Sequence, residues 1–202
     1  MTTWERAVGT AVAGLGLLAA GFLLQEWLPD DDADAGAEPH VRTGAVGDAI
    51  DLRTATVTVD EVIGTRRLEQ YGSELVSPGL WVVVRYTVVA TEESTSITFA
   101  ELTDDEGRVW GLVGRNGNAC VESPPGLAAH CTAYLEVPPD ALPTLSLRLA
   151  RLSSETRFDA VAEVDLDLTR ADASAFALAP TYAVSNPTLG DEPPENTTEE
   201  PS

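Results

Sequence analysis

The sequence predicts an all-β domain, built as an antiparallel sandwich of about seven short strands. The first observation is that much of the central chain alternates apolar and polar residues with a period of two, as half-buried strands do. The second is that glycine, proline and aspartate separate these runs at short intervals, with no convincing helical pattern between them. Short strands broken by such turns are typical of two packed sheets.

Each predicted strand follows from its own pattern. The longest run, LWVVVRYTVVAT at 80–91, is rich in β-branched residues and indicates a central strand. Residues 104–107 supply a turn into 108–113, which predicts a hairpin. The remaining predicted strands alternate in the same way and cover 54–59, 97–100, 132–137, 145–150 and 162–168.

Composition separates the domain from its flanks. The 202 residues are 44% hydrophobic, enough for a core, and carry 33 Asp+Glu against 12 Lys+Arg, all arginine, for a net charge of -21. Such acidity repels phosphate backbones, so we expect no nucleic-acid partner. Charge and Pro/Gly content predict an acidic linker at 29–45, the sandwich at 46–170 and a mostly disordered, Pro/Glu/Thr-rich acidic tail at 171–202.

The amino-terminal part predicts a membrane anchor. Residues 7–24 are apolar and uncharged, Trp4 and Trp27 bracket them, and Arg6 precedes them. This pattern predicts one transmembrane helix within 1–28, with a cytoplasmic N-terminus and the domain outside the cell membrane. The alternative is a cleaved signal peptide, but the run is long and the small-residue site at 35–37 lies beyond the aspartates. Either alternative exports the rest of the chain.

Four stretches are similar in sequence to a known family: VGDAIDLRTATVTVDEV, SPGLWVVVRYTVVATEES, ELTDDEGRVWGL and VPPDALPTLSLRL. They resemble the DUF4352 family of exported or membrane-anchored bacterial proteins, of actinobacterial type. The resemblance covers about 46–168 and implies an immunoglobulin-like sandwich of unknown role. Its motifs mark strand ends and turns, so it implies no site residue. The pair Cys120 and Cys131 is not a feature of the family.

The two cysteines predict a disulfide. Cysteines of an exported chain are normally paired, and Cys120 and Cys131 are close in sequence. The alternative is a metal site of Cys120, His130 and Cys131, but neighbouring residues of a strand point to opposite sides and no fourth ligand is evident. No cofactor motif or nucleophile elbow is present. We therefore expect no metal, no cofactor and no catalytic residue.

Trp81, Arg85 and Tyr134 form the candidate interaction surface. If Leu80 and the residues at every second position after it line the core, Trp81 and Arg85 project the other way. An exposed aromatic beside an arginine has the composition of a binding hot spot. The alternative is that the phase is off by one and Trp81 belongs to the core, because three successive valines do not fix the phase.

The function expected from these features is contact, without catalysis, in the cell envelope. The sequence predicts a membrane-tethered binding or protein-interaction module whose partner is an unknown envelope protein or ligand. The alternatives are an envelope hydrolase that uses carboxylates on loops, and a passive acidic spacer.

Overall fold

The computed structural model describes residues 39–152 and 160–191, which form a β-sandwich of two sheets. The smaller sheet has the order β1-β10-β9-β5-β6. Its strands are β1 (His40–Ala45), β5 (Phe99–Thr103), β6 (Val109–Trp110), β9 (Ser146–Ala150) and β10 (Ala160–Asp165). The two-sheet all-β prediction is confirmed, and each predicted strand overlaps an observed one, although 97–100 and 108–113 share only two residues with β5 and β6.

The larger sheet has the order β11-β3-β4-β8-β12, with β2 paired to β3 and β7 paired to β8. Its strands are β2 (Ala49–Asp51), β3 (Ala55–Gln70), β4 (Ser73–Ala90), β7 (Gly117–Ala119), β8 (Ala128–Val137), β11 (Tyr182–Ala183) and β12 (Thr188–Leu189). Most neighbours are antiparallel, but β1 pairs with β10 and β11 pairs with β3 in parallel. A 3-10 helix at Leu142–Thr144 and a helix α1 at Arg170–Leu178 complete the described elements.

The main core lies between the two sheets and explains the period-two pattern. Every second residue of β4 points into it, as do alternate residues of β3, β8, β9 and β10. These side chains are aliphatic, with one buried tyrosine whose hydroxyl donates to Asn118 Oδ1 at 2.7 Å. The core residues contributed by β4 are Leu80, Val82, Val84, Tyr86 and Val88. Removing this aliphatic surface from water is the main driving force for the fold.

The β3–β4 hairpin is long and bent. Its ladder is interrupted between Val59 and Glu61 and again between Thr65 and Arg67, where four residues of β4 lie opposite a single residue of β3. Bulges of this kind bend a strand and increase its twist. The bend turns the end of the hairpin, which we call the hairpin tip (residues 67–76), over the outer face of the larger sheet. Contacts of Gln70 with Tyr134 on β8 fix it there.

The chain after β10 is ordered, where the sequence predicted a disordered tail. Helix α1 begins where the Asp172 carboxylate accepts hydrogen bonds from the Thr169 backbone and hydroxyl, and its Phe176 packs against the main core beside Gly64. A side chain at Gly64 would meet the Phe176 ring. Beyond the helix, β11 and β12 join the larger sheet. The prediction of no exported helix and of disorder from 171 is therefore wrong through residue 191.

The predicted linker also ends earlier than expected. Strand β1 covers His40–Ala45, and its backbone pairs with β10 from Ala160 to Asp165. Its side chains are mostly exposed, which is why no apolar period marks it in the sequence. The predicted anchor at 1–28, the start of the linker and the end of the tail lie outside the described residues. Of the helices that residues 39–152 and 160–191 form, none has the length and apolar character that a membrane crossing requires.

Candidate functional site

The three residues of the predicted surface lie together on the outer face of the larger sheet. In the β4–β8 ladder, Trp81 is opposite Glu136, Val83 is opposite Tyr134, and Arg85 is opposite Thr132. Since alternate β4 residues line the main core, Trp81 and Arg85 project away from that core, which is the first of the two phases considered from the sequence. The alternative phase, with Trp81 between the sheets, is wrong.

The sequence predicted that this face is exposed, but the structure shows that it is covered. Trp81 is 0% exposed and Tyr134 is 6% exposed, because a second apolar cluster covers them. This second core consists of Leu68, Trp81, Val83 and Tyr134, with half-buried neighbours Ile63, Leu75, Tyr182 and Val184. The cover comes from the hairpin tip, which the bend of β3 and β4 brings over the sheet, and from the chain around β11, which is distant from β4 in sequence. Trp81 and Tyr134 therefore lie on the outer face of the larger sheet but are buried beneath this cover.

Trp81 is held by contacts on several sides. Its indole N–H donates to the Leu75 carbonyl at 3.3 Å, and its ring meets the Tyr134 ring edge-on with centroids 6.4 Å apart. The guanidinium carbon of Arg115 lies 5.3 Å from the ring centroid, a cation–π contact. Trp81 thus links β4, the hairpin tip and the loop before β7.

Arg115 fixes that loop against the sheet. Its guanidinium donates to both Glu136 carboxylate oxygens at 2.7 Å and to the Val76 carbonyl at 3.0 Å. Ser77 donates its hydroxyl to the same carboxylate at 2.6 Å, and the Glu136 backbone N–H donates to Asn116 Oδ1 at 2.9 Å. Bidentate charge-assisted bonds are strong and directional. They bring the loop 111–117 and the hairpin tip side by side.

Arg85 is not a free cation. Its guanidinium pairs with Glu61 at 3.0 Å, and its side chain is only 16% exposed. Burial and pairing both reduce what an incoming ligand could gain from this arginine. The structure therefore brings Trp81, Arg85 and Tyr134 together but presents none of them as an open surface.

The cysteines and histidine of the domain have defined partners. A disulfide joins Cys120 to Cys131, as predicted, so neither thiol can ligate a metal. Both ring nitrogens of His130 are engaged: Nδ1 lies 3.0 Å from the Thr87 hydroxyl and Nε2 lies 2.9 Å from the Gly190 carbonyl. Within residues 39–152 and 160–191, no group of three His, Cys, Asp or Glu side chains is placed to hold a metal ion.

Comparison with known proteins adds only likeness of fold. No family model and no curated protein matches the chain. An uncharacterized beta-sandwich protein from Clostridium difficile 630 is 8% identical with a TM-score of 0.42, over 63% of this chain and 95% of that one. The yjhA protein from Bacillus subtilis is 11% identical with a TM-score of 0.44, over 60% of this chain and 99% of that one. Neither likeness carries an argument about function.

Four exposed apolar residues lie on two adjoining segments, the hairpin tip and the loop 111–117. Tyr71 is 86% exposed at the turn of the hairpin, Val76 is 54% exposed, and Leu112 and Val113 are 36% and 73% exposed. We call these four residues the tip patch. The two segments adjoin at the Arg115 bond to the Val76 carbonyl, and Tyr134 contacts both Gln70 and the Gly117 backbone region.

Sequence reasoning missed the tip patch because its members show no period. One signal was available. Tyr71-Gly72 joins two alternating runs as a two-residue turn, and both residues have positive φ, 49° and 72°. A tyrosine at such a turn adopts a backbone conformation that bulky residues rarely take, and it points into solvent. An aromatic residue in place of the usual Asn or Gly marks the turn as a candidate contact residue.

Proposed function

We propose that the chain is a non-enzymatic binding module and that it docks a partner protein through the tip patch. The observation that supports this proposal is the exposure of four large apolar side chains on two adjoining segments: Tyr71, Val76, Leu112 and Val113. Aromatic and aliphatic groups that protrude from a rigid support are the usual anchors of protein interfaces. The support here is rigid because Arg115 and the second core fix both segments.

The charge around the tip patch indicates the chemistry of its partner. Residues 66–76 and 111–117 contain Arg66, Arg67 and Arg115, which are balanced by Glu69, Glu74 and the Glu136 that pairs with Arg115, in a chain whose net charge is -21. The charge beside the patch is therefore close to neutral, so electrostatic repulsion of a partner is smaller here than the net charge of the chain suggests. The patch therefore fits an apolar pocket on another protein whose surroundings carry no strong negative charge.

The proposed location is the cell envelope. The Cys120–Cys131 disulfide supports an oxidising compartment, because disulfides persist outside the reducing cytoplasm. The apolar run at 7–24 supports a single membrane anchor with the domain outside. We also propose an immunoglobulin-like topology, which the arrangement of two sheets supports. Membership of the DUF4352 family is part of the same proposal, and the four sequence stretches quoted above support it.

The contacts of His130 favour binding over the alternative of a hydrolase. A general base needs a ring nitrogen directed at a substrate, and both nitrogens of His130 face protein oxygens. In the row of Asp60, Thr87 and His130 the hydroxyl lies between the carboxylate and the imidazole, whereas in a nucleophile triad the histidine lies between the carboxylate and the hydroxyl. The third alternative, a passive spacer, would leave the tip patch without a partner.

Site-specific photo-crosslinking in cells that express the full chain tests this function. A photoreactive amino acid at Val113 or Val76 should give one discrete protein adduct on irradiation. The matched controls are the exposed apolar positions Val109 and Leu178, which lie on β6 and α1. We expect no adduct of the same mass at the controls. An equal yield at control and patch positions, or no adduct at Val113 and Val76, would contradict the proposal and favour the spacer.

A further inference from the structure

The hairpin tip extends beyond the end of its neighbour in the sheet and leaves one strand edge open. Strand β4 begins at Ser73, but its ladder with β8 begins only at Leu80. On the other side of the tip, β3 is covered, because β11 pairs with it at Leu68 and Glu69. Residues 73–76 of β4 therefore have β3 on one side and none of the described strands on the other.

The turn of the hairpin determines which backbone groups point out of it. Tyr71 and Gly72 form a two-residue turn with positive φ, so the residues that flank it exchange both ladder hydrogen bonds. Such bonded pairs alternate along an antiparallel ladder with pairs whose N–H and C=O groups point outward. The bonded pairs are Gln70–Ser73 and Leu68–Leu75, and the outward pairs are Glu69–Glu74 and Arg67–Val76.

Two hydrogen bonds outside the ladder confirm this alternation. On the β3 side, the Glu69 carbonyl accepts from the Val184 N–H at 2.9 Å. On the β4 side, the Val76 carbonyl accepts from the Arg115 guanidinium at 3.0 Å. Both carbonyls belong to the outward pairs, so the outward groups of β3 meet the chain around β11, and those of β4 point away from the hairpin.

Three outward groups of β4 remain open, the N–H and C=O of Glu74 and the N–H of Val76. No group within residues 39–152 and 160–191 forms a hydrogen bond with them, and both residues are exposed. Unpaired backbone groups along a strand edge are a template for a further strand. Since Val76 is also a member of the tip patch, the open edge and the patch are continuous.

The side chains beside the open edge indicate what the added strand should carry. Glu69 and Glu74 are directly opposite each other in the ladder, and like charges in that position are destabilising. The ion pair of Glu74 with Arg67 is 3.9 Å long and joins two exposed side chains, so it offsets little of this repulsion. A basic residue opposite Glu74 relieves the repulsion, and an apolar residue suits the position opposite Val76.

We propose that the partner docks by adding one extended strand to the edge of β4 at residues 74–76, with Lys or Arg opposite Glu74 and an apolar residue opposite Val76. This inference rests on the proposed function, because the strand is one wall of the pocket that receives the tip patch. The open backbone groups give affinity, and the two side chains give specificity. A second copy of the chain fits less well, because it brings a further net charge of -21.

Exchange of single amide hydrogens, followed by NMR on the full chain in detergent micelles, tests the edge. In the free chain the Glu74 and Val76 amides should exchange at least about tenfold faster than the Leu75 amide, which is bonded to Leu68 across the ladder. In the photo-adduct formed at Val113, the same two amides should become protected. Unchanged exchange in the adduct would refute strand addition and leave the tip patch as the docking surface.

Two variants at residue 74 separate the backbone edge from the side chain. Glu74→Pro removes the outward N–H without breaking a ladder bond, and Glu74→Ala is the matched control that lacks the carboxylate but keeps the N–H. The adduct yield at Val113 should be at least about fivefold lower with proline than with alanine, because a carbonyl of the partner is left without a donor. Equal yields in the two folded variants would contradict strand addition. If Glu74→Pro does not fold, amide exchange in the adduct decides.

A charge reversal tests the basic residue of the added strand. Glu74→Lys should lower the adduct yield at Val113 at least about fivefold below that of Glu74→Ala, because two basic side chains then lie side by side. A yield equal to that of Glu74→Ala would rule out the basic residue. An adduct of twice the mass of the chain would identify a second copy and overturn the proposed partner. Absence of any adduct without a substitution at residue 74 is a separate result, which contradicts the proposed function itself.

Discussion

Replacing Trp81 by alanine is expected to lower the free energy of unfolding by about 3 to 5 kcal/mol, the range for removing a large aromatic residue from a packed interior. The effect should be this large although Trp81 lies outside the main core. Its indole N–H donates to Leu75, its ring packs on Tyr134, and Arg115 covers its face. The substitution leaves a cavity and also removes the support of the hairpin tip. Urea denaturation of the full chain measures the change.

Tyr71 provides the matched control for this substitution. It is an aromatic residue of the same hairpin but is 86% exposed, so Tyr71→Ala should change the free energy of unfolding by no more than about 0.5 kcal/mol. A loss below about 1 kcal/mol for Trp81→Ala would show that the outer face does not bury this residue, and the second core would then be wrong.

Removing the cross-link between Cys120 and Cys131 is expected to cost about 3 kcal/mol of stability. The bridge closes a short loop, since the cysteines are 11 positions apart, and the chain-entropy model assigns this cost to the greater freedom of the unfolded chain. We expect Cys120→Ser/Cys131→Ala to remain folded, because Cys131 is only one member of a large, mainly aliphatic core, against which Cys120 packs. The midpoint of denaturant unfolding reports the change.

A reducing agent separates the cross-link from the side chains. The unmodified chain in reductant should lose nearly as much stability as the double variant, and the double variant should not respond to reductant. Mass spectrometry after alkylation without reduction should find no modified cysteine. Two alkylated thiols in the folded chain would contradict the disulfide.

The strands that face the main core could be predicted from sequence because burial on one side imposes a period of two. The run at 80–91 shows both the strength and the limit of this pattern: its inward residues are apolar, but three successive valines left two phases open, and the structure has the one in which Trp81 and Arg85 face away from the main core. The hairpin at 104–107 was predictable because Asp104 accepts backbone N–H bonds from Glu106 and Arg108 and so closes the turn.

The cover of the outer face could not be predicted, because it depends on pairings that leave no local pattern. Strands β1, β11 and β12 are held through their backbones, and their side chains are mostly half-buried or exposed. The bend that brings the hairpin tip over Trp81 comes from bulges whose positions a period-two pattern does not reveal. Helix α1 had a signal, Thr169 three residues before Asp172, which the acidic composition of the tail obscured.

The central claim is that the domain binds its partner through the tip patch, whereas Trp81 stabilises the fold. The measurement that tests it most directly is the affinity of the crosslinked partner for three variants: Val113→Asp, Trp81→Phe and, as the exposed control, Val109→Asp. We expect Val113→Asp to raise Kd at least about tenfold, because a carboxylate in an apolar interface is left without a partner. Trp81→Phe and Val109→Asp should leave Kd within about twofold, as changes outside an interface do. A weakened Trp81→Phe variant beside an unaffected Val113→Asp variant would contradict the claim.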